Sequence, residues 1–305
     1  MNAPPEGRSI SILQVDAFTT RPFAGNPAGV VLEPGDLGED EMLLIAREMN
    51  LSETAFLLPP SGPEADLRVR WMTPAAEVDL CGHATVATFH AALEEGRLAP
   101  GAYRMECRAG VLPIDLRRDE TGWPVVRLGL PVPALEETNL AACRIAEPLG
   151  IETDDLSGRL PLMRTGEWLL APLSGLDAMR RVRPDLKALL DLHEELGLGS
   201  TIVLTTETLE PGSAVHVRMF APGFGIDEDP VTGSAEGPVA AYLVRHGLLE
   251  PSASTRYIAE QGDIIGRPGR IEVEVTREAG RIRSITIAGH AVTVLRGTIS
   301  LPRDR

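Results

Sequence analysis

The pattern of apolar and polar residues in the first half of the chain changes between a strand-like and a helix-like spacing. Short apolar or alternating segments predict strands at SILQVDAF, AGVVL, TAFLL and LRVRWM, with a Gly-Asn-Pro turn at 25–27 between the first two. Apolar residues three and four positions apart predict a helix at EDEMLLIAREMN. A second helix is predicted after Gly82, at HATVATFHAALEEG, and ends at Gly96. This half is therefore predicted to mix helices and strands.

The second half of the chain repeats the first. Four blocks occur twice in the same order: residues 48–58 and 195–205, 69–74 and 217–222, 82–98 and 233–249, and 110–116 and 269–275. The second copy adds a helix at RPDLKALLDLHEELG and another from Ser234 to about His246, which stops at Gly247. The period is too long for a solenoid, so we predict a duplicated α/β (α+β) domain.

The length of 305 residues fits two domains, or one domain built twice. The proline-rich segment LGLPVPAL is the natural boundary between the copies. We predict a first half at residues 1–128 and a second at 129–287. Residues 288–305 are predicted to be a terminal strand that can pack back on the first half.

The composition excludes several classes of function. The net charge is −15, and nucleic acids and anionic membranes bind basic surfaces, so neither is an expected partner. No apolar stretch approaches the ~18 residues of a membrane span, and the N-terminal segment does not resemble a secretory signal. The three cysteines form no C-x-x-C pair and the histidines show no ligand spacing. We therefore expect a reduced, cytoplasmic protein without a metal site.

The two copies suggest where a substrate binds. A helix begins with Gly82 in the first copy and with Gly233 and Ser234 in the second. The N-terminus of a helix carries unpaired N–H groups and partial positive charge, so it binds carboxylates and developing oxyanions. Ligands of duplicated folds usually bind in the cleft between the halves. We therefore expect a small carboxylate substrate there, contacted by these three residues.

Glu53 and His83 are the first candidates for proton transfer. Glu53 lies just before the TAFLL strand, and its counterpart in the second copy is Ser200. A carboxylate that occurs in only one copy suits a single general base, although it could instead form a surface ion pair or cap a turn. His83, in the first turn of its helix, is expected to be neutral and to hydrogen-bond substrate, or simply to bond to backbone.

The remaining candidates lie at the helix entries. Cys81 corresponds to Thr232, so the paired thiols of a racemase are not both present. A lone buried cysteine is more often a small apolar residue than a catalyst. Asp229 precedes a proline-fixed turn and either assists proton transfer or only shapes that turn. Ser234 can cap its helix or touch the substrate, and Glu236 is expected to complement the helix dipole.

Four motifs now identify a family resemblance. LSETAFLL, TP…LCGHAT, EDPVTGSA followed by EGPVAAYL, and QGDIIGRPGRI together resemble the phenazine-biosynthesis isomerase family (PhzF-like). The match runs from about Gln14 to Thr298, and the family shares its fold with diaminopimelate epimerase and proline racemase. The resemblance implies a duplicated diaminopimelate epimerase-like fold, in which each half curls a β-sheet around a central helix. It also implies an enzyme without cofactor or metal that is typically a homodimer.

The resemblance also implies roles for individual residues. Glu53 matches the catalytic glutamate of the family, His83 its histidine, and Asp229 and Ser234 the polar residues of its EDPxTGS-type turn. In the member that names the family, the glutamate moves a proton between ring carbons of trans-2,3-dihydro-3-hydroxyanthranilate. We therefore expect a cofactor-independent isomerase of a small carboxylate, cyclic or not.

Two alternatives stay open at this point. The first is a racemase, an epimerase or a hydroxyproline-type dehydratase that uses Cys81 opposite Thr232. The second is a binding protein that keeps the fold but is catalytically silent.

Overall fold

The computed structural model describes residues 8–250 and 252–301 of the chain. In chain order the strands are β1 (Arg8–Ala17), β2 (Asn26–Val31), β3 (Thr54–Leu58), β4 (Leu67–Met72), β5 (Glu77–Val78), β6 (Gly101–Cys107), β7 (Gly110–Arg118), β8 (Pro124–Leu130), β9 (Glu136–Glu137), β10 (Met163–Thr165), β11 (Trp168–Pro172), β12 (Ser200–Thr205), β13 (Ser213–Ala221), β14 (Ile226–Asp229), β15 (Ser254–Gln261), β16 (Gly269–Glu278), β17 (Arg281–Gly289) and β18 (Ala291–Leu301). The α-helices are α1 (Glu39–Met49), α2 (Gly82–Glu94), α3 (Ala142–Ala146), α4 (Leu176–Arg181), α5 (Leu186–Leu196) and α6 (Glu236–Arg245).

The ends of the amphipathic helices α1 and α5 follow from local side-chain chemistry. The Asp185 carboxylate precedes α5 and accepts a hydrogen bond of 3.0 Å from the backbone N–H of Ala188. Gly197 ends the same helix with φ 63°, a left-handed conformation that glycine adopts without strain. Asn50 does the same for α1 with φ 51°. Both helices lie where the sequence pattern predicts them.

The chain forms two compact units, and their strands are connected in the same way. The first unit holds residues 8–23, 27–128 and 289–301, and the second holds 24–26 and most of the chain from 129 to 288. In the first, β2 and β3 are parallel, β3 and β4 antiparallel, β4 and β6 parallel, and β6, β7 and β8 antiparallel. In the second, β11, β12, β13, β15, β16 and β17 repeat this series of pairings. The predicted duplication is confirmed.

One helix in each unit is enclosed by its sheet. Residues 82–93 of α2 are all buried, and so are residues 236–243 of α6. A helix that is apolar or small on every face can pack on all sides, which is what a curled sheet requires of its central helix. In the first unit the terminal strand β18 pairs with β1 in antiparallel register.

The start of the central helix in the second unit differs from the prediction. The sequence predicts a helix from Ser234, but a 3-10 turn covers Gly233–Ala235 and α6 begins only at Glu236. The reason is Pro238, because its nitrogen carries no hydrogen and cannot bond to the carbonyl of residue 234. The turn closes instead with hydrogen bonds between residues three apart in the chain, such as the one from the Ala235 N–H to the Thr232 carbonyl at 3.2 Å.

Among the residues described, no helix combines the length and the apolar character needed to cross a membrane. The three cysteines of the chain are free thiols: Cys81 and Cys107 are buried and Cys143 is exposed.

Candidate active site

Glu53 and His83 come together in the first unit. Glu53 directly precedes β3, and its carbonyl accepts a hydrogen bond of 3.0 Å from the N–H of Gly29 on β2. A Cβ at Gly29 would lie 2.6 Å from the Thr54 hydroxyl, so this close approach of the two strands requires glycine. His83 is the second residue of α2. The parallel strand pair and the helix start thus hold the two side chains near each other.

The imidazole of His83 contacts side chains on both edges of its ring. On one edge, Nε2 lies 3.3 Å from Oε2 of Glu53 and 3.4 Å from the Ser52 hydroxyl. On the other edge, Nδ1 lies 3.4 Å from the Cys81 sulfur. Glu53 is 8% exposed and His83 is 5% exposed. In the part of the chain that the structure describes, the His83 ring is therefore contacted by side chains rather than bonded to backbone, and Glu53 is buried rather than a surface ion-pair residue.

The Glu53 carboxylate keeps one oxygen available. Although Oε2 lies near His83, no group in the described chain has the geometry of a hydrogen bond to it, and it is buried. Buried polar atoms almost always have a partner, so an exception points to a ligand or a chemical role. Glu53, Cys81 and His83 also each offer a ligand atom within 4.8 Å of the others, so among the described residues this group could hold a metal ion.

Asp229 lies in the second unit, in a cluster of hydrogen-bonded side chains that satisfies both of its carboxylate oxygens. One of its carboxylate oxygens accepts a hydrogen bond of 2.8 Å from the Asn26 amide, and the other accepts one from the Thr232 hydroxyl. The Gln261 amide donates to the Asp229 carbonyl at 2.8 Å and accepts from the Thr232 N–H at 3.0 Å. Asp229 is 4% exposed. Its carboxylate is therefore positioned, with both oxygens already accepting hydrogen bonds.

The residues predicted to bind an anion lie at the two helix entries. Gly82 is the first residue of α2 and is buried. Gly233 and Ser234 lie in the 3-10 turn before α6, with Gly233 buried and Ser234 half-buried. Cys81 and Thr232 cap these two starts at equivalent positions, and neither side chain makes a capping hydrogen bond. The roles of these residues in binding stay predictions.

The expectation for Glu236 is wrong. An acid that complements the helix dipole must be charged, but Glu236 is fully buried and burial raises its pKa to about 8. Its only hydrogen bond in the described chain comes from the Tyr257 hydroxyl at 3.4 Å. Glu236 is therefore neutral near pH 7 and contributes no charge to the helix start.

Sequence reasoning missed Ser52, Asn26 and Gln261. Ser52 stands next to Glu53, so the LSET motif contained the signal. Asn26 and Gln261 belong to the GNP turn and the QGD motif, which suggested a turn and a family but no partner. Their role appears only in three dimensions, because Asn26 and Asp229 are 203 residues apart in the chain.

Comparisons with known proteins agree over nearly the whole chain. The profile of the PhzC-PhzF family, described as phenazine biosynthesis-like protein, matches residues 15–297. The "Uncharacterized isomerase YfhB" of Bacillus subtilis (strain 168) is 37% identical over 290 residues, which cover 93% of this chain and 97% of that protein. Trans-2,3-dihydro-3-hydroxyanthranilate isomerase of Pseudomonas fluorescens is 30% identical over 294 residues, with 94% and 98% covered.

Solved structures confirm the predicted fold. The crystal structure of the Bacillus anthracis phenazine biosynthesis protein, PhzF family, has a TM-score of 0.89 and 33% identity, covering 96% of this chain and all of that one. A hydroxyproline epimerase from Agrobacterium vitis has a TM-score of 0.60 at 17% identity, covering 96% and 93%, a likeness of fold alone. The chain therefore belongs to the phenazine biosynthesis-like (PhzC-PhzF) family, and it is an enzyme of the isomerase class.

Proposed function

We propose that this enzyme moves a proton between two carbons of a small carboxylate, with Glu53 first as base and then as acid and without a cofactor. The observation that carries the proposal is the buried Glu53 Oε2, which accepts no hydrogen bond from the described chain and lies 3.3 Å from His83. A carboxylate oxygen that accepts no hydrogen bond has a lone pair available for a proton, as a general base requires. The Asp229 carboxylate is less suited, because both of its oxygens already accept hydrogen bonds.

The reaction balances with one carboxyl group. Glu53 removes a proton from a carbon beside a conjugated system, and the electron pair of that C–H bond delocalises toward the substrate carboxylate. The protonated Glu53 then returns the proton to a second carbon on the same face. One C–H bond breaks and one forms, so the step consumes no oxidant or reductant.

The start of α2 is suited to stabilise the negative charge that develops. The first N–H groups of a helix have no partner within it and carry partial positive charge. Gly82 and His83 belong to this turn, and the His83 ring already contacts Glu53. An enolate-like oxygen bound there would gain hydrogen bonds as its charge grows. His83 is proposed to hold Glu53 and to bond to a polar group of the substrate.

The substrate class rests on the relatives. The relative from Pseudomonas fluorescens is named for trans-2,3-dihydro-3-hydroxyanthranilate, so this cyclic amino acid is the first compound to test. Asp229 is proposed to position a hydroxyl or amino group, and Gly233 and Ser234 to contact an anionic group. That these three residues contact the same substrate as Glu53 stays a prediction, and so does the homodimer.

The test is the variant Glu53→Gln, which keeps the shape of the side chain and removes its base. Turnover of the dihydro-hydroxyanthranilate, or solvent deuterium exchange into a panel of small carboxylates, should fall by at least about 10²-fold. The matched control is Glu48→Gln, an exposed glutamate on α1, which should leave the rate unchanged. A wild-type rate in Glu53→Gln would refute Glu53 as the base. Full activity after prolonged treatment with EDTA is expected if no metal takes part.

A second candidate uses the Cys81 thiol, because its sulfur lies 3.4 Å from Nδ1 of His83 and is buried. In that case the enzyme would be a racemase or dehydratase with a thiol acid or base. Cys81→Ala separates the two: a loss as large as that of Glu53→Gln favours the thiol mechanism, and a near-normal rate favours Glu53. Alkylation alone is less informative, since the exposed Cys143 also reacts.

A further inference from the structure

A pocket of about 380 Å³ lies in the second unit, at residues that the proposed proton transfer does not use. Leu176, Leu209 and Ile264 give it apolar walls. Its polar lining comes from three kinds of side chain: two arginines, one carboxylate and the imidazole of His216. This size and this mixture of apolar walls with a few polar groups are typical of small-molecule sites.

His216 is fixed by a buried carboxylate. It lies on β13 and is 0% exposed, and its Nδ1 lies 3.0 Å from Oε2 of Glu260. Burial alone would raise the pKa of Glu260, but hydrogen bonds from the Leu209 N–H, from His216 and from the Glu210 N–H together lower it. Glu260 is therefore a carboxylate at neutral pH and accepts a hydrogen bond from the Nδ1–H of His216. This arrangement fixes the tautomer of the ring.

The other nitrogen of this ring has no partner. Nε2 of His216 is buried and makes no hydrogen bond with the described chain. With the Nδ1 hydrogen directed at Glu260, Nε2 is the ring nitrogen whose lone pair can accept a hydrogen bond. Leaving such a group unpaired costs free energy. A donor such as a hydroxyl would satisfy this nitrogen.

The pocket also presents positive charge. Arg183 and Arg180 both line it and are exposed. The Arg183 guanidinium donates to the carbonyls of Arg180 and Val182, both at 2.8 Å, and within the described residues it meets no carboxylate. Among residues 8–250 and 252–301, the Arg180 guanidinium bonds only to the exposed Asp177, at 3.0 Å. A carboxylate of a ligand could therefore pair with both arginines at little cost.

Asp263, the carboxylate in the pocket lining, does not compete with a ligand carboxylate for the two arginines. Asp263 is bonded through both oxygens to Arg270, at 3.0 Å each. The negative charge of Asp263 is therefore balanced by Arg270, and Arg180 and Arg183 still give the pocket positive charge.

From these contacts we propose that the pocket binds a small hydroxycarboxylic acid, whose hydroxyl donates to Nε2 of His216 and whose carboxylate pairs with Arg180 and Arg183. The apolar walls then contact the carbon skeleton between the two ends. The proposal does not depend on the reaction assigned to Glu53.

The position of the pocket in the sheet supports a separate role. Glu260 and Gln261 are consecutive residues of β15, and successive side chains of a strand point to opposite faces. Gln261 bonds to Asp229 and Thr232, whereas Glu260 bonds to His216. The pocket is therefore on the other face of this sheet from the Asp229 cluster.

The test uses the full-length protein labelled with ¹⁵N in its histidine rings. We expect 4-hydroxybenzoate to shift the Nε2 resonance of His216 in a saturable titration. Benzoate, which lacks the hydroxyl donor, should bind about fivefold more weakly, the worth of one hydrogen bond. The resonances of His193 serve as the internal control, because its Nε2 already bonds to the Thr201 hydroxyl at 2.8 Å.

A pair of double variants tests the carboxylate end. Arg180→Ala/Arg183→Ala should weaken 4-hydroxybenzoate about tenfold and leave 4-hydroxybenzyl alcohol, which has no carboxylate, unchanged. The matched control Arg159→Ala/Lys187→Ala removes the same charge from exposed residues of the same unit that do not line the pocket. It should leave both affinities unchanged. All four substituted side chains are exposed, so folding is retained.

The outcomes decide the proposal without reference to catalysis. Glu53→Gln should bind the probe as the wild type does. The proposal is overturned if His216 shows no saturable shift, if benzoate binds as tightly as 4-hydroxybenzoate, or if both double variants have the same effect.

Discussion

The replacement Glu236→Gln tests how strongly the second unit depends on a protonated acid. Glu236 lies in the first turn of α6 with its whole side chain buried, and in the described chain its Oε1 has no hydrogen-bond partner. Burial raises its pKa to about 8, from an ordinary value of 4.5, although the hydrogen bond from Tyr257 acts in the opposite direction. The folded protein therefore keeps a proton on this residue that the unfolded chain releases.

The sign and size of the effect on stability follow from this difference. Because the folded pKa lies above the unfolded one, the contribution is fully present below pH 4.5 and is lost as the pH rises toward 8. The slope of the free energy of unfolding in this window is about −1.4 kcal/mol per pH unit from this group alone. Between pH 5.5 and 7.5 the wild type should therefore lose roughly 3 kcal/mol through Glu236.

Glutamine has the same shape, accepts the bond from Tyr257 and does not ionise. We expect Glu236→Gln to remove this slope, so that the variant gains stability relative to the wild type as the pH rises. Urea unfolding curves at pH 5.5, 6.5 and 7.5 measure the free energies, with equal m-values as the check that the same surface unfolds. Glu250→Gln is the control, since Glu250 is exposed and its slope should match that of the wild type.

The reasoning would be refuted by parallel pH profiles for Glu236→Gln and the wild type. That result would mean that the carboxyl group is charged in the folded protein and that water or another group reaches it. A uniform loss of stability in the variant, without a change in slope, would lead to the same conclusion.

Three further changes test side-chain contacts inside each unit. Arg218→Met should cost about 3–5 kcal/mol in urea unfolding, because Arg218 is buried and its removal leaves the Glu228 carboxylate without its cation. Gly269→Ala should lower the melting temperature in calorimetry, since a Cβ there would lie 2.4 Å from a methyl group of Val231. Phe89→Ala, at a fully buried ring on α2, should cost about 3–5 kcal/mol by the same urea assay, and a cost below about 1 kcal/mol would contradict its place in the core.

Much of the fold could be predicted because local residue patterns indicate the helices and strands, and the second copy repeats these patterns. The helix α5 follows from Asp185 and Gly197, two residues that fix its ends. The strands TAFLL and LRVRWM are found at the predicted residues, and their order recurs in the second copy. The helix start at Ser234 was wrong because the pattern shows apolar spacing but not the missing hydrogen of a proline four residues on.

The candidate site was only partly predictable. Comparing the copies singled out Glu53, and the helix entry singled out His83; their contact at 3.3 Å brings the two predictions together. The partners of Asp229 could not be found in this way, because they come from distant parts of the chain. The burial of Glu236 was also hidden, since a glutamate in a first helical turn looks the same in sequence whether it is solvated or enclosed.

The short segment 24–26 has a practical consequence for anyone who divides this chain. Although it follows β1, it belongs to the second unit, where the Arg267 guanidinium donates to the carbonyls of Ala24 and Gly25 at 3.0 and 2.8 Å. A gene cut once, between codons 128 and 129, would produce a C-terminal fragment in which the Asp229 carboxylate has lost the amide of Asn26. Split-enzyme or single-copy designs must therefore graft this tripeptide onto the downstream piece, or accept an acid that lacks one of its hydrogen-bond donors.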